Sequence, residues 1–127
     1  MTVVLDASAM LALLLDESGA ELVAAFHDQS LMCAVNVAEV AEQLARNATD
    51  AAVKLSLAAT LPSVVAVDTD LATTAGLMRA STRSVGLSLG DRFCRALAKR
   101  LSCPVLTADG AWAEIADAVG VEVRSIR

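Results

Sequence analysis

Two acidic residues follow short apolar runs near opposite ends of the sequence. Asp6 ends the run VVLD, and Asp109 follows the run PVLTA. Two more acids, Glu39 in NVAE and Asp91 in SLGD, stand near the start of helical patterns. Carboxylates that share a cleft raise one another's pKa unless a cation compensates their charge. Because Mg²⁺ and Mn²⁺ prefer hard oxygen ligands, the chemistry that these residues indicate is hydrolysis assisted by a divalent ion.

Each of these acids also has a structural interpretation. Asp before a helix is a favoured N-cap, and Asp68, which ends SVVAVD, is interpreted in this way and serves as an internal control. The spacing from Asn36 to Glu39 is that of a capping box, and SLGD places Asp91 in the same relation to its serine. Asp91 could also pair with Arg95 one turn later. Both interpretations stay open at this point.

The elements that would position the acids alternate between strands and helices. Short apolar runs predict strands in TVVLD, SLMCAV, SVVAVD, PVLTAD and VEVRSI. Helices are predicted in ASAMLALLL, GAELVAAFHD, NVAEVAEQLARN, DAAVKLSLAATL, TDLATTAGLMRAST, LSLGDRFCRALAKRL and AWAEIADAV. Strands that are apolar on both faces, between helices, predict a three-layer α/β sandwich with a mainly parallel central sheet flanked by helices.

A parallel sheet of this kind brings strand ends and helix starts to the same edge. Ligands bind at that edge, where neighbouring connections leave in opposite directions. We therefore expect the acids to converge there whatever their capping roles; they are Asp6, Glu39, Asp91 and Asp109. The single histidine, His27, is expected on a helix surface, which argues against a zinc site or a histidine base.

Length and composition indicate one domain over residues 1–127. The chain is 56% hydrophobic, but no apolar run approaches the length of about 20 residues that spans a bilayer. No basic residue precedes the first apolar run, so a signal peptide is not expected. We expect a cytoplasmic location without membrane association. The three cysteines lack metal-ligand spacing and are expected to be reduced core residues.

The net charge of −5 argues against a surface that coats nucleic acid. Basic residues do cluster in one predicted helix, among them Arg92 and Arg95. These two side chains could contact phosphates, or they could belong to a solvated helix face. The high apolar content is compatible with an oligomer or a stable complex.

In this order and spacing, VVLDASAML, NVAEV, LSLGDRFCRALAKRL and PVLTADGAW resemble the PIN-domain ribonucleases, in particular VapC-type toxins. The resemblance covers nearly the whole chain. It implies a doubly wound parallel sheet whose first and fourth strands are adjacent at the centre, with Asp6 beside Asp109. It also implies that Glu39 and Asp91 complete a site dependent on Mg²⁺, with Mn²⁺ as the alternative ion.

The same resemblance implies the surroundings and the activity of the site. Ser8 and Thr107 match hydroxyl positions that support the acids, and Asn36 is placed with them as a supporting or substrate-contacting residue. The implied activity is hydrolysis of RNA phosphodiester bonds, with tRNA or rRNA as the expected substrate. The implied partners are a cognate antitoxin and a second copy of the chain.

Three other functions are compatible with parts of the sequence. A phospho-receiver domain could use Asp68 as its phosphorylated residue, but it needs an acid pair after the first strand, where Ala7 and Ser8 follow Asp6. A haloacid-dehalogenase-like phosphatase needs a second Asp where Ser8 stands. A catalytically inactive PIN-like binding module is the third, and the complete set of acids argues against it.

Overall fold

Five parallel strands form the central sheet in the computed structural model, which describes residues 1–83, 86–109 and 120–127. The strands are β1 (Val3–Leu5), β2 (Ser30–Cys33), β3 (Ser63–Val65), β4 (Val105–Thr107) and β5 (Val123–Ser125). Their order across the sheet is β3-β2-β1-β4-β5, and each neighbouring pair is parallel. The expected adjacency of the first and fourth strands is confirmed, since Val4 pairs with Val105 and Leu5 with Leu106.

Helices connect the strands. They are α1 (Ala7–Leu14), α2 (Ala20–Phe26), α3 (Ala34–Leu44), α4 (Asp50–Thr60), α5 (Thr69–Leu77), α6 (Arg79–Thr82) and α7 (Leu89–Leu101). Each lies where a helical pattern was predicted, although TDLATTAGLMRAST forms α5 and α6 rather than one helix. The predicted helix AWAEIADAV lies outside the described residues.

Two apolar cores lie on opposite faces of the sheet. Successive residues of a strand point to opposite faces, and β1 shows this directly. Val3 and Leu5 are buried in one core with Met10 of α1. Val4 is buried in the other core with Leu97 of α7. The predicted three-layer α/β sandwich is therefore confirmed, because a helical layer covers each face of the sheet.

The strand order places a topological switch point at the centre of the sheet. From β1 the chain continues to β2 on one side, while β4 and β5 lie on the other side. Asp6 follows β1 directly, and its backbone N–H donates to the carbonyl of Leu106 in β4 at 3.2 Å. Asp109 comes two residues after the end of β4. Both acids therefore lie at the edge where ligands bind in open parallel sheets.

Several other expectations concern residues away from this edge. The cysteines are free thiols, with Cys33 and Cys94 buried and Cys103 half-buried. His27 begins a short 3₁₀ helix and is half-buried at the protein surface, with Nε2 at 2.6 Å from the carbonyl oxygen of Thr60. Within the described ranges, no helix has both the length and the apolar composition needed to cross a bilayer.

Asp68 behaves as the structural control that the sequence predicts. Its Oδ1 accepts a hydrogen bond from the backbone N–H of Leu71 at 2.7 Å and so caps α5. Its two oxygens also bind the guanidinium of Arg100 at 2.8 and 2.9 Å. The hydrogen bond from Arg100 lowers the pKa of Asp68 from an ordinary value of 3.8 to about 2.

The Asp68–Arg100 pair predicts a pH-dependent effect on stability. A lowered pKa in the folded state stabilises the protein above the unfolded value of 3.8, and this contribution is lost as the pH falls through about 2. Asp68→Asn keeps a capping oxygen but removes the charge, so it should lower the free energy of unfolding at pH 7 and have little effect near pH 2. Urea denaturation at several pH values measures this difference. An equal loss of unfolding free energy at pH 7 and near pH 2 would contradict this prediction.

Candidate active site

The four acids that the sequence singles out line one cleft of about 350 Å³. They come from separate segments and are Asp6 after β1, Glu39 in α3, Asp91 in the first turn of α7, and Asp109 after β4. The other residues that line the cleft are Ala7, Ser8, Leu11 and Gln43. The expected convergence at the carboxyl edge of the sheet is thus present in the structure, while the roles of the acids stay a prediction.

Asp6 is a buried carboxylate that also caps a helix. Its side chain is almost inaccessible, and Oδ1 accepts hydrogen bonds from the backbone N–H of Ala9 at 2.9 Å and from Ser8 Oγ at 2.6 Å. Burial raises the pKa of Asp6, while the hydrogen bonds from Ser8 and Thr107 and the charge of Arg95 oppose the rise. Capping and a place in the cleft are therefore compatible for this residue.

Two hydroxyl groups connect the start of α1 to the end of β4. Ser8 Oγ lies 3.2 Å from Thr107 Oγ1 and accepts a hydrogen bond from the N–H of Ala108 at 2.9 Å. Thr107 Oγ1 in turn accepts one from the N–H of Asp109 at 3.0 Å. This network links the segment that carries Asp6 to the segment that carries Asp109, while the supporting role of Ser8 and Thr107 stays a prediction.

Glu39 is held by a buried asparagine. Nδ2 of Asn36 donates to Glu39 Oε1 at 2.7 Å and to the carbonyl oxygen of Gly90 at 3.0 Å. Burial raises the pKa of Glu39, the bond from Asn36 opposes this, and the charges of Asp91 and Asp6 add to the rise.

The capping box predicted at Asn36 is wrong. Because β2 continues directly into α3, the helix begins at Ala34 with Cys33 at the N-cap, and Asn36 already lies inside it. The second predicted capping box is confirmed. Ser88 Oγ accepts from the N–H of Asp91 at 3.1 Å, and Asp91 Oδ2 accepts from the N–H of Ser88 at 3.1 Å. Asp91 therefore caps α7 and lines the cleft as well.

The donor set of the cleft fits a hard, hydrated cation better than a tightly coordinated one. Across residues 1–83, 86–109 and 120–127, no three acidic, histidine or cysteine side chains form a group that could hold an ion. Mg²⁺ usually keeps several waters and contacts one or two carboxylates. A cleft of about 350 Å³ has room for such a hydrated ion, since one water occupies about 30 Å³.

Comparison with known proteins agrees with this geometry. The signature of the PIN domain matches residues 3–118, which is most of the chain. The chain belongs to the PIN domain family. Among proteins with curated descriptions, none matches the sequence significantly.

Solved structures share the fold of this PIN domain over its full length. A toxin–antitoxin complex from Klebsiella pneumoniae superposes with a TM-score of 0.76 at 16% identity, covering 99% of this chain and 98% of that one. VapBC2 from Rickettsia felis, bound to a promoter DNA fragment, superposes with a TM-score of 0.75 at 11% identity, and 98% of each chain is covered. DNA-bound VapBC from Salmonella typhimurium superposes with a TM-score of 0.73 at 16% identity, covering 100% of this chain and 99% of that one.

The two arginines that could have contacted phosphates are buried in this PIN domain. Arg92 Nη1 donates to the carbonyls of Ala75 and Gly76 at 3.1 and 3.4 Å and so binds the end of α5. Arg95 is fully buried, and its Nη1 donates to the carbonyl of Asp91 at 3.3 Å. Neither arginine lines the cleft, and both are buried. The two interpretations of the sequence, a contact to phosphates and a solvated helix face, are therefore wrong. The reason is that α7 packs against α5 and the sheet together.

Gly90 is a site residue that the sequence did not reveal. A Cβ at this position would collide with the carboxylate of Glu39, so the absence of a side chain allows α3 and α7 to approach. The available signal was a glycine at the second position of a strongly patterned helix, where glycine is a poor helix former. Gln43 is a second residue of the cleft that was missed.

The raised pKa values predict that the acids reduce stability when no cation is bound. A carboxyl group whose pKa is raised in the folded state loses stability as the pH rises above its unfolded value, which is 3.8 for Asp6. Asp6→Asn keeps an oxygen for the N–H of Ala9 and removes the charge. In EDTA it should raise the free energy of unfolding at pH 7 more than at pH 4, as measured by urea denaturation. A variant that is less stable than the wild type, and equally so at both pH values, would contradict this expectation.

Proposed function

We propose that this PIN domain is an endoribonuclease that depends on a divalent ion and acts as the toxin of a toxin–antitoxin pair. The observation that carries the proposal is the meeting of four acids from separate segments in one cleft, at the switch point of the sheet. Family membership supports the same conclusion, as does the similarity of the fold to chains in toxin–antitoxin complexes.

The acids that would hold the ion, directly or through its bound waters, are Asp6, Glu39, Asp91 and Asp109, with Mg²⁺ as the first candidate and Mn²⁺ as the second. A bound divalent cation supplies positive charge that favours deprotonation of water and offsets the charge that develops on the phosphate. The protein contributes preorganised negative oxygens. Burial raises the pKa of Asp6 and Glu39, and a nearby cation would favour the charged form of both.

The described residues around the cleft favour water as the nucleophile over a side chain. Ser8 is the hydroxyl residue that lines it, and its Oγ is already engaged with Asp6, Thr107 and the N–H of Ala108. His27 lines a different cavity and contacts the carbonyl of Thr60. Ser8 therefore lacks the basic partner that activates a catalytic serine.

RNA is the proposed substrate, with the accessible single-stranded loops of tRNA or rRNA as the expected targets. Because Arg92 and Arg95 are buried, contacts to phosphates would fall to exposed basic residues. Arg46 is such a residue, in a neighbouring cavity of about 480 Å³ that shares Leu11 and Gln43 with the acidic cleft.

A cognate antitoxin and a second copy of the chain are the proposed protein partners. Large apolar side chains are exposed on several helices, including Leu55 and Leu77, each 74% exposed. Burial of such side chains against a partner is favourable, at roughly 25 cal/mol per Å² of apolar surface.

Substitution of the acids separates this proposal from the inactive binding module. Asp6→Asn and Asp109→Asn should each lower the rate of RNA cleavage at least about 100-fold, because even partners of metal ligands are worth about 10–100-fold. EDTA should abolish cleavage by the wild type, and added Mg²⁺ should restore it. The rate is measured on purified tRNA and rRNA by gel electrophoresis.

Asp68→Asn is the matched control, since Asp68 also follows a strand and caps a helix but lies outside the cleft. It should cleave RNA at the wild-type rate. Undiminished cleavage by both cleft variants, or by the wild type in EDTA, would overturn the proposal. A folded wild type that cleaves no RNA with Mg²⁺ would instead favour the binding module.

A further inference from the structure

The carboxylate of Glu39 is constrained by two residues outside the set of acids. Asn36 Nδ2 donates to Oε1 at 2.7 Å. Gly90 lies so close that a Cβ there would collide with the carboxylate. Among the described residues, Oε2 accepts no hydrogen bond. Among the described residues, Asn36 therefore engages one oxygen of Glu39 and leaves the other without a hydrogen bond, while both oxygens pack against Gly90.

Asn36 occupies a position where an apolar residue would be the simpler choice for stability. It is 1% exposed and lies inside α3, although asparagine is a weak helix former. Its Oδ1 is buried without a hydrogen-bond partner in the described ranges, which is unfavourable. We therefore interpret its two hydrogen bonds as holding Glu39 Oε1 and the carbonyl of Gly90 in place.

The second bond of Asn36 connects Glu39 to the neighbouring helix. The same Nδ2 donates to the carbonyl of Gly90 at 3.0 Å, and Gly90 directly precedes Asp91. Asn36 thus ties α3 to the first turn of α7. As a result, one buried amide connects the carboxylate of Glu39 to the backbone next to Asp91.

We propose that Asn36 is a positioning residue that presents Glu39 as a one-oxygen ligand and so selects Mg²⁺ or Mn²⁺ over Ca²⁺. This inference rests on the proposed function of the cleft. Mg²⁺ requires near-octahedral geometry with compact ligands, whereas Ca²⁺ takes 6–8 oxygens and often binds a carboxylate through both. A carboxylate with Oε1 held by an amide is poorly suited to bind through both oxygens.

Ion binding without RNA tests this proposal directly. Isothermal titration of Mn²⁺ and of Ca²⁺ into the wild type and Asn36→Leu gives both dissociation constants. The affinity of Asn36→Leu for Mn²⁺ should fall about 10-fold or more, as for other partners of metal ligands. Its affinity for Ca²⁺ should fall less, so the preference for Mn²⁺ shrinks. Asn36→Ser gives the same comparison if the leucine variant is unstable.

Two further variants show whether Asn36 acts through Glu39. In a Glu39→Gln background, Asn36→Leu should leave the ratio of the two affinities unchanged, because the oriented carboxylate is already gone. Thr82→Val is the matched control for a lost buried hydrogen bond, since Thr82 Oγ1 donates to the carbonyl of Met78 at 2.8 Å away from the cleft. It should bind both ions like the wild type.

The outcomes separate this inference from the proposed function. Wild-type binding of Mn²⁺ with an unchanged ratio in Asn36→Leu would overturn the role of Asn36 and leave the nuclease proposal intact. The same change of ratio in the Glu39→Gln background, or in Thr82→Val, would overturn it as well. A wild type that binds neither ion would overturn both proposals.

Discussion

The parallel pairing of β1 with β4 is the interaction on which the acidic cleft depends. It joins segments about a hundred residues apart, and it places Asp6 beside the end of β4 through a backbone hydrogen bond to Leu106. The hydroxyls of Ser8 and Thr107 continue this connection beyond the last paired residues. Without this pairing, Asp6 would be an ordinary cap of α1, and Asp109 would lie in an ordinary loop.

The same local motif has opposite electrostatic consequences at two strand ends. Asp6 and Asp68 each follow a strand and cap a helix. Asp68 is exposed to solvent and paired with Arg100, which lowers its pKa to about 2. Asp6 is buried beside other acids, and burial raises its pKa. Capping is thus one part of what a carboxylate does, and its surroundings decide in which direction its pKa shifts.

Helix α7 shows how close packing serves the site. Its first turn carries Asp91 and the glycine that makes room for Glu39, while its buried face contains Arg92 and Arg95. The two guanidinium groups donate to backbone carbonyls and do not reach the cleft. The negative cleft therefore has no cationic side chain among its described lining residues. Arg95 acts on the cleft through its charge, which opposes the rise in the pKa of Asp6.

The sequence by itself determined the order of strands and helices in the described ranges, because apolar periodicity and capping are local properties. It also indicated which four acids converge at one edge of the sheet, and the resemblance to PIN domains supplied the adjacency of the first and fourth strands. It placed the start of the third helix at Asn36 instead of Ala34, since only the structure shows that β2 runs into α3 without a break.

Only the tertiary structure decided the burial of Arg92 and Arg95, the contact of Gly90 with Glu39, and the double hydrogen bond of Asn36. Each of these depends on the distance between two helices that are remote in sequence. That distance follows from how side chains pack across the sheet, and no local pattern in the chain encodes it.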